Sequence, residues 1–236
     1  KKAIFFQEDI CDFEKLKKIF EGAEAVFHLA ADPRLQVSIE DPIGTHEINV
    51  TGTLNVLKAA KDNGVKKVIF SSSCAAYGDQ PLPIVESSMM APLSPYGLHK
   101  LMGEQYCRLF SQLFGLGTVC LRYLNVFGPR KLATGAYPMV IPIFLDQRSQ
   151  NKKLTIVGDG ESTRDYVHVL DVVDANIRAW KSGVFDGSPI NIGSGKQTSV
   201  NSIVRLIGGP TESLPARPGE MRFIEAFESM RLVRSL

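Results

Sequence analysis

The sequence has few cysteines, and they are not arranged to hold a metal. Its 236 residues include four, Cys11, Cys74, Cys107 and Cys120, with no C-x-x-C pair among them. This spacing argues against a disulfide framework and against a zinc site, and it favours reduced thiols in a cytosolic protein.

The sequence also lacks long apolar runs and blocks of like charge. A membrane helix needs about 18 consecutive apolar residues, and Pro138 and Pro142 interrupt the best candidate, Tyr137 to Leu145. No signal-peptide pattern is found. The 27 basic and 25 acidic residues leave a formal net charge of +2, which indicates neither a nucleic-acid-binding nor a membrane surface. We therefore expect a soluble cytoplasmic protein.

Strand-like and helix-like segments alternate along the chain, and 44% of its residues are apolar, enough for a packed core. The predicted strands are 3–6, 25–29, 67–71, 118–123, 154–157, 165–169 and 190–192, and the predicted helices are 13–20, 42–63, 96–114, 138–150, 172–181 and 200–207. Asp12, Asp41 and Asp171 are the expected helix N-caps, and 125–130 is expected to be a turn. The alternation predicts a parallel sheet with helices on both faces.

The stretch from Val68 to Lys100 has the clearest chemical pattern. A strand runs into three serines, then a Pro-rich loop leads to a helix opened by Pro95. On that helix Tyr96 and Lys100 are four residues apart, so they share one face. An ammonium about 5 Å away would lower the pKa of Tyr96 from about 10 to about 8, which suits a general base.

The serines would supply the partner of that base. Ligands of parallel α/β sheets lie beyond the carboxyl ends of the strands, where Ser71, Ser72 and Ser73 are expected. A hydroxyl there would hydrogen-bond a substrate oxygen while Tyr96 moves its proton. Taken alone, the Tyr-x-x-x-Lys spacing is more often a solvated surface pair, but strand, serines, loop and Pro-Tyr-Gly in this order are much rarer.

Two segments carry a family resemblance, SSSCAAYG at residues 71–78 and SPYGLHK at 94–100. They resemble the extended short-chain dehydrogenase/reductases, and within them the nucleotide-sugar 4-epimerases. The resemblance implies that Ser73, Tyr96 and Lys100 are catalytic. It implies NAD as the cofactor, bound by Asp9, Ile10, Leu29, Ala30, Ala31, Asn49, Ser71, Tyr96, Lys100 and Tyr123.

The same resemblance implies the substrate-binding residues. Arg122 to Asn125 is similar to the family's RYFN segment, with Leu124 in place of Phe. Arg164 and Arg217 would clamp a diphosphate, for which a guanidinium is suited. The implied substrate-binding set is Ser73, Asn125, Val140, Ile141, Leu154, Thr155, Arg164, Arg217 and Glu220. Tyr166 and the four histidines, His28, His46, His99 and His168, are interpreted as structural.

The chain lacks the G-x-G-x-x-G turn with which a dinucleotide-binding half begins. The expected fold is therefore a Rossmann-like doubly wound parallel sheet, incomplete at the N-terminus, with a smaller C-terminal α/β substrate lobe. The expected division is 1–125 and 166–183 for a partial dinucleotide-binding domain, and 126–165 and 184–236 for a nucleotide-sugar-binding lobe.

The resemblance implies NAD-dependent 4-epimerisation of a UDP-hexose through a transient 4-keto intermediate. UDP-glucose and UDP-galactose are the first choice and the N-acetyl forms the second, with Ile224 at the position that walls the pocket. A 4,6-dehydratase or decarboxylase is the nearest alternative, although Ser73-Cys74-Ala75 lacks the acid those enzymes carry there. A non-catalytic nucleotide-binding module or fragment is another. A homodimer through a four-helix bundle of helices 43–63 and 96–114 is also expected.

Overall fold

The computed structural model describes residues 3–131, 133–134, 139–215 and 223–224. They fall into two compact units. The first is drawn from Lys1–Gly78, Met90–Arg122 and Asn176–Ile190, and the second from Asp79–Met89, Tyr123–Ala175 and Asn191–Leu236.

The described part contains helices and strands in mixed order. The helices are α1 (Phe13–Ile19), α2 (Leu35–Glu40), α3 (Pro42–His46), α4 (Gly52–Asp62), α5 (Pro95–Phe114), α6 (Val140–Ser149), α7 (Val169–Lys181) and α8 (Val200–Ile207). The strands are β1 (Ala25–His28), β2 (Lys67–Ser73), β3 (Gly117–Tyr123), β4 (Asn125–Phe127), β5 (Leu154–Val157), β6 (Thr163–His168), β7 (Asp186–Ile192), β8 (Gln197–Ser199), β9 (Thr211–Leu214) and β10 (Phe223–Ile224).

The first unit contains a sheet with the strand order β1-β2-β3-β7. β1 and β2 are parallel, with Ala25 opposite Lys67 and His28 opposite Phe70. Apolar side chains of β2, β3, α4 and α5 pack into one buried cluster that includes Leu57, Phe70 and Cys107. The strand–helix–strand connection and the buried core agree with the predicted α/β class.

The second unit is built around β6, which pairs in parallel with β4 and β10 and antiparallel with β8. β5 and β9 form a separate parallel pair. The core of this unit gathers Phe144 of α6, Leu154 of β5 and Ile203 of α8. Its elements are short, so each contributes a few apolar side chains to this cluster.

The caps of two predicted helices are confirmed. The Asp12 carboxylate accepts a hydrogen bond from the amide of Lys15, and the Asp41 carboxylate accepts one from Gly44. The expected cap at Asp171 is wrong, because α7 begins at Val169 and Asp171 lies in its first turn. Asp12 and Asp41 accept hydrogen bonds from amides that a helix leaves unpaired at its N-terminus. The negative charge of Asp171 is favourable near the same end of α7 because of the helix dipole.

Other predictions of secondary structure are wrong. Residues 3–6 are not a strand, and Ile4 and Phe5 are exposed. Residues 125–127 form β4 and not a turn, because β6 supplies a partner that local sequence does not reveal. The helix predicted over 42–63 is three segments, α3, a π-helix at Glu47–Thr51 and α4. α2 was not predicted.

No helix in the described ranges combines the length and the apolar character required to span a membrane.

Candidate active site

Helix α5 presents Tyr96 and Lys100 from its first two turns. The Ser94 hydroxyl caps it by accepting from the amide of Gly97 at 3.1 Å, and Pro95 occupies the first helical position, where its missing N–H is not needed. The Lys100 Nζ lies 5.9 Å from the centroid of the Tyr96 ring. The same ammonium donates to the Ser71 carbonyl oxygen at 2.7 Å. The predicted pair therefore lies on one helix face, against the end of β2.

Lys100 is buried, with 5% of its surface exposed. Burial lowers the pKa of Lys100 to about 8, while the neighbouring Cys107 and Glu104 act in the opposite direction. Desolvation disfavours the charged form of a buried amine. The ammonium near Tyr96 is thus present at neutral pH and lost under mildly alkaline conditions.

Ser73 ends β2 and caps the short 3-10 helix Cys74–Ala76, because its Oγ accepts from the amide of Ala75 at 3.1 Å. The start of α5 lies directly on this segment. A Cβ at Gly97 would come within 2.4 Å of the Ala75 carbonyl oxygen, so only glycine permits this approach. The contact brings the segments that carry Ser73 and Tyr96 together.

The backbone of Tyr96 has a further support from α2. The amide of Tyr96 donates to the Ser38 Oγ at 3.1 Å, and that hydroxyl donates to the Leu35 carbonyl oxygen at 2.6 Å. Ser38 is fully buried. Sequence reasoning missed this contact, since α2 itself was not predicted.

A buried polar network connects β2, α5 and β3. The Glu104 carboxylate accepts from the Ser72 hydroxyl and forms a bidentate ion pair with Arg122, whose Nε and Nη2 lie 2.8 and 2.6 Å from its two oxygens. Arg122 Nη1 also donates to the Tyr77 hydroxyl at 2.6 Å. Burial works against the charge of Arg122, but the Glu104 carboxylate outweighs it and the pKa of Arg122 is raised. The network ties the strand end before Ser73 to the helix of Tyr96.

One member of this network has a signal in the sequence. Glu104 continues the Tyr96 and Lys100 spacing by four residues, so the three side chains lie along one side of α5. Ser72 follows Ser71 on the opposite face of β2, and its partner became identifiable only once α5 was placed.

The loop after β1 is held by Asn49. The Asn49 side chain accepts from the Asp32 amide at 2.7 Å and donates to the Asp32 carbonyl oxygen at 3.0 Å. Leu29 and Ala30 just before it are exposed, and Ala31 is half-buried. Asp32 also pairs with Arg34, and this pairing lowers the pKa of Asp32. Residues 29–31, predicted to bind the cofactor, therefore lie in a loop that Asn49 anchors at the next residue, Asp32.

Asp9 and Ile10 adjoin the same helical segment. The Asp9 Oδ1 accepts from the amide of Cys11 at 2.8 Å, which closes a local turn. The Ile10 side chain packs against Gly52, where a Cβ would come within 2.6 Å. The Asn55 amide donates to the carbonyl oxygens of Ile10 and Cys11. The role of Asp9 and Ile10 toward adenine stays a prediction.

Tyr123, Asn125 and Arg164 belong to the second unit. The Asn125 side-chain amide donates to the Asp165 carbonyl oxygen at 3.1 Å, and Arg164 Nη1 donates to the Thr163 carbonyl oxygen at 2.7 Å. The buried Asp165 carboxylate accepts from the amides of Ser194 and Gly195 and so fixes the Gly-Ser-Gly turn. Sequence analysis did not identify Asp165.

The remaining substrate candidates surround the core of the second unit. Val140 and Ile141 open α6 and pack against that core. The Leu154 side chain is fully buried within it, and Thr155 exchanges two hydrogen bonds with Gln147. Arg217 and Glu220 lie outside the described residues. Of Ile224 the backbone is described, in β10. Their contacts with substrate stay predictions.

The Lys100 ammonium and the loop after β1 offer groups that fit a dinucleotide. An ammonium has three N–H donors, and the Lys100 contact to Ser71 uses one of them, which leaves donors for ribose hydroxyls. Small residues at the end of β1 and an anchored Asp32 backbone offer a fixed edge for a flat ligand. These residues would hold the cofactor that the sequence implies.

Known proteins are similar to this chain in sequence and fold. The NAD dependent epimerase/dehydratase family model matches residues 1–193. The putative UDP-glucose 4-epimerase of Methanocaldococcus jannaschii is 38% identical over 244 residues, which cover 100% of this chain and 78% of that protein. The structure of UDP-N-acetylglucosamine 4-epimerase from Methanobrevibacter ruminantium, in complex with UDP-N-acetylmuramic acid, has a TM-score of 0.91 at 35% identity and covers 98% of this chain and 76% of its own. The structure of the UDP-glucose 4-epimerase of Thermus thermophilus in complex with NAD has a TM-score of 0.87 at 30% identity. The match covers 99% of this chain and 78% of the Thermus chain.

These similarities confirm the predicted Rossmann-like α/β fold and NAD as the cofactor of the family, and the relatives are isomerases, as predicted for this enzyme. The family model includes β2, its serines and the whole of α5. The chain belongs to the NAD-dependent epimerase/dehydratase family.

Proposed function

We propose that the protein catalyses the NAD-dependent 4-epimerisation of a UDP-hexose through a transient 4-keto sugar. The observation that carries this proposal is the buried Lys100 ammonium, 5.9 Å from the Tyr96 ring and anchored to the Ser71 carbonyl at the strand end that carries Ser73. Base, cation and hydroxyl thus belong to neighbouring elements of one unit.

The chain's own residues would move one proton in each direction. Tyr96 as phenolate removes the proton of the sugar O4, and the Ser73 hydroxyl hydrogen-bonds that oxygen. Lys100 stabilises the phenolate by its charge. NAD, when bound, would supply reversible hydride transfer at C4 of the sugar. After the keto sugar has turned in its pocket, Tyr96 gives the proton back to O4, and the sugar leaves with inverted configuration at C4.

We propose that residues 1–125 and 166–183 bind the dinucleotide and that residues 126–165 and 184–236 form the nucleotide-sugar-binding lobe. Asp9, Ile10, Leu29–Ala31, Asn49, Ser71 and Tyr123 are the proposed cofactor contacts in addition to Tyr96 and Lys100. Asn125, Val140, Ile141, Leu154, Thr155, Arg164, Arg217 and Glu220 are the proposed substrate contacts. The glucose/galactose pair is preferred over the N-acetyl pair, and Ile224 is proposed to set that choice by its size.

The dehydratase or decarboxylase alternative is disfavoured by the acids available. Cys74 and Ala75 follow Ser73 and carry no carboxyl group. The Glu104 carboxylate is buried and is occupied by Arg122 and Ser72. A non-catalytic module is disfavoured because Tyr96 and Lys100 are both present and share one helix face.

Incubation of the full-length protein with UDP-galactose and, separately, with UDP-N-acetylgalactosamine tests the activity. We expect the 4-epimer of UDP-galactose to appear faster. In Tyr96→Phe, turnover should fall at least about 10²-fold, since general acid–base catalysis contributes about 10²–10⁴, while UDP binding measured by calorimetry is retained.

Tyr106→Phe is the matched control, because Tyr106 lies on the same helix but packs against the core. Its turnover should stay close to that of the wild type. Unchanged turnover in Tyr96→Phe would overturn the proposed mechanism. Absence of both epimers with the wild type, despite bound NAD, would favour the dehydratase or the non-catalytic alternative.

We also propose a cytoplasmic homodimer. The four cysteines, all within the described residues, are unbridged, which suits a reducing compartment. Apolar side chains on the outer face of α5 are exposed and would be covered by a second copy.

A further inference from the structure

The helical run after α3 changes its hydrogen-bonding pattern at one place. Residues Glu47–Thr51 form a π-helix between α3 and α4. A π-turn within an α-helix is rare and is often found at functional sites. Asn49, whose side chain holds the backbone of Asp32, lies within it.

Two residues outside the proposed binding set fix Asn49. The Thr53 hydroxyl donates to the Asn49 carbonyl oxygen at 2.7 Å. The His28 Nε2 lies 2.9 Å from the same Thr53 oxygen. A hydroxyl has a single proton, and Thr53 gives it to Asn49, so His28 must be the donor to Thr53 and carries its proton on Nε2.

The surroundings of His28 favour the neutral imidazole that donates to Thr53. His28 and Thr53 are 3% and 1% exposed, so neither contacts solvent appreciably. Burial, aided by the charge of Lys100, lowers the pKa of His28 to about 3. The imidazole is therefore neutral at physiological pH, and its single N–H is the one that it donates to Thr53.

We propose that His28 and Thr53 are positioning residues, which hold Asn49 through the chain His28 Nε2–H, Thr53 hydroxyl and Asn49 carbonyl so that Asn49 can clamp the cofactor loop at Asp32. The proposal rests on the proposed function in one respect, that residues 29–32 adjoin the dinucleotide. The chain of hydrogen bonds starts at His28, the last residue of β1. It ends at Asp32, four residues later in the loop that follows β1.

Thr53→Val tests the chain, because valine keeps the shape of threonine and removes the hydroxyl. The first measurement is hydrogen-exchange NMR of the Asp32 amide in cofactor-free full-length protein. We expect exchange of this amide to accelerate at least about tenfold, and the Kd for NAD to rise about tenfold, as expected when a buried hydrogen bond is lost. Thermal unfolding, and exchange of core amides in β3, measure any general loss of stability.

Thr53→Ser and His28→Gln are the matched variants that keep the donors. Both should stay within about twofold of the wild type in Asp32 exchange and in the Kd for NAD. Unchanged Asp32 exchange in Thr53→Val would overturn the proposal, and so would an acceleration equal to that of the β3 core amides. If the wild type binds no NAD, the proposed function fails, and Asp32 exchange alone then decides the positioning role.

Discussion

Lys100 carries a charge at a position where burial disfavours it and where the proposed mechanism requires it. Its ammonium is buried beside Phe70, 5.1 Å from the ring centroid, and holds one backbone acceptor, the Ser71 carbonyl. Burying a charge with few partners costs free energy, and that cost is expressed in the pKa of about 8 for Lys100. Stability and activity should therefore respond to pH in opposite directions.

The pKa of Lys100 is about 8 in the folded protein and 10.5 in the unfolded chain. Between these values the unfolded state holds more protons, so the free energy of unfolding rises with pH, by up to roughly 3 kcal/mol in total. Turnover should fall above pH 8, because Tyr96 loses its cationic neighbour. Urea unfolding from pH 7 to 10 measures the first effect, and initial rates measure the second.

Lys100→Met is the control for this pH dependence. The rise in stability above pH 8 should be absent in this variant, and turnover should be lost at every pH. Parallel stability curves for the wild type and Lys100→Met would show that another group causes the rise.

At this scale the sequence identified the residues of the proposed reaction more readily than the residues that hold them in place. Tyr96, Lys100 and Ser73 have a local spacing that the structure brings together. Glu104 and Thr53 act through partners that are distant in sequence, Ser72 and His28. Such pairings follow from the placement of helices on the sheet, which periodicity alone does not define.

Two glycines of α5 make close approaches, Gly103 to the sheet and Gly97 to the 3-10 helix that follows β2. A Cβ at Gly103 would come within 2.4 Å of the Phe70 ring, and one at Gly97 would meet the Ala75 carbonyl oxygen at the same distance. The second contact involves rigid backbone. The position of Tyr96 relative to Ser73 therefore depends on a residue without a side chain.

Gly97→Ala should separate the start of α5 from the 3-10 helix Cys74–Ala76. We expect turnover to fall about 10²-fold, because misplacement of a catalytic group by about 1 Å has an effect of this size. Stability should decrease by about 1–3 kcal/mol from overpacking. Initial rates and urea unfolding measure the two effects.

Gly183→Ala is the matched substitution, because a Cβ there meets no atom within 4 Å and the backbone has no positive φ. It should leave both quantities nearly unchanged. Equal rates for Gly97→Ala and the wild type would show that the close approach does not position Tyr96.

Elements with strong local signals were predicted well. α5 has a cap, a proline at its first position and a long apolar face, and it was placed to within one residue. β4 is three residues long and depends on β6 for its pairing. α2 was missed because Leu35, Val37 and Ile39 alternate as in a strand, although the chain there is helical.

Over the whole molecule, one apolar surface is a candidate for contact with a second copy. Leu98, Leu109 and Leu113 are exposed along α5, and their spacing of eleven and four residues keeps them on one side. A groove of about 690 Å³ lined by Pro42, Ile43, Pro95 and Leu98 lies at the start of this face. The small net charge of +2 opposes self-association only weakly.

Leu113→Glu should convert the proposed dimer to a monomer, because a buried, unpaired charge at an interface is costly. Size-exclusion chromatography with light scattering measures the mass. Leu206→Glu on α8 is the control, since Leu206 is 84% exposed and lies in the second unit, and it should leave the mass unchanged. A wild type that elutes only as a monomer would contradict the dimer.

The serine run at the end of β2 has a consequence for how this segment tolerates change in length. The Ser72 hydroxyl faces Glu104 of α5, whereas Ser73, the next residue, caps the turn that follows the strand. Neighbouring strand residues point to opposite faces, so a one-residue slip exchanges the two faces. The three consecutive serines therefore make different contacts, according to the face of the strand to which each side chain points. Inserting or deleting a single serine would leave the composition almost unchanged, but it would exchange the hydroxyl that meets Glu104 with the hydroxyl at the position proposed to bind the sugar.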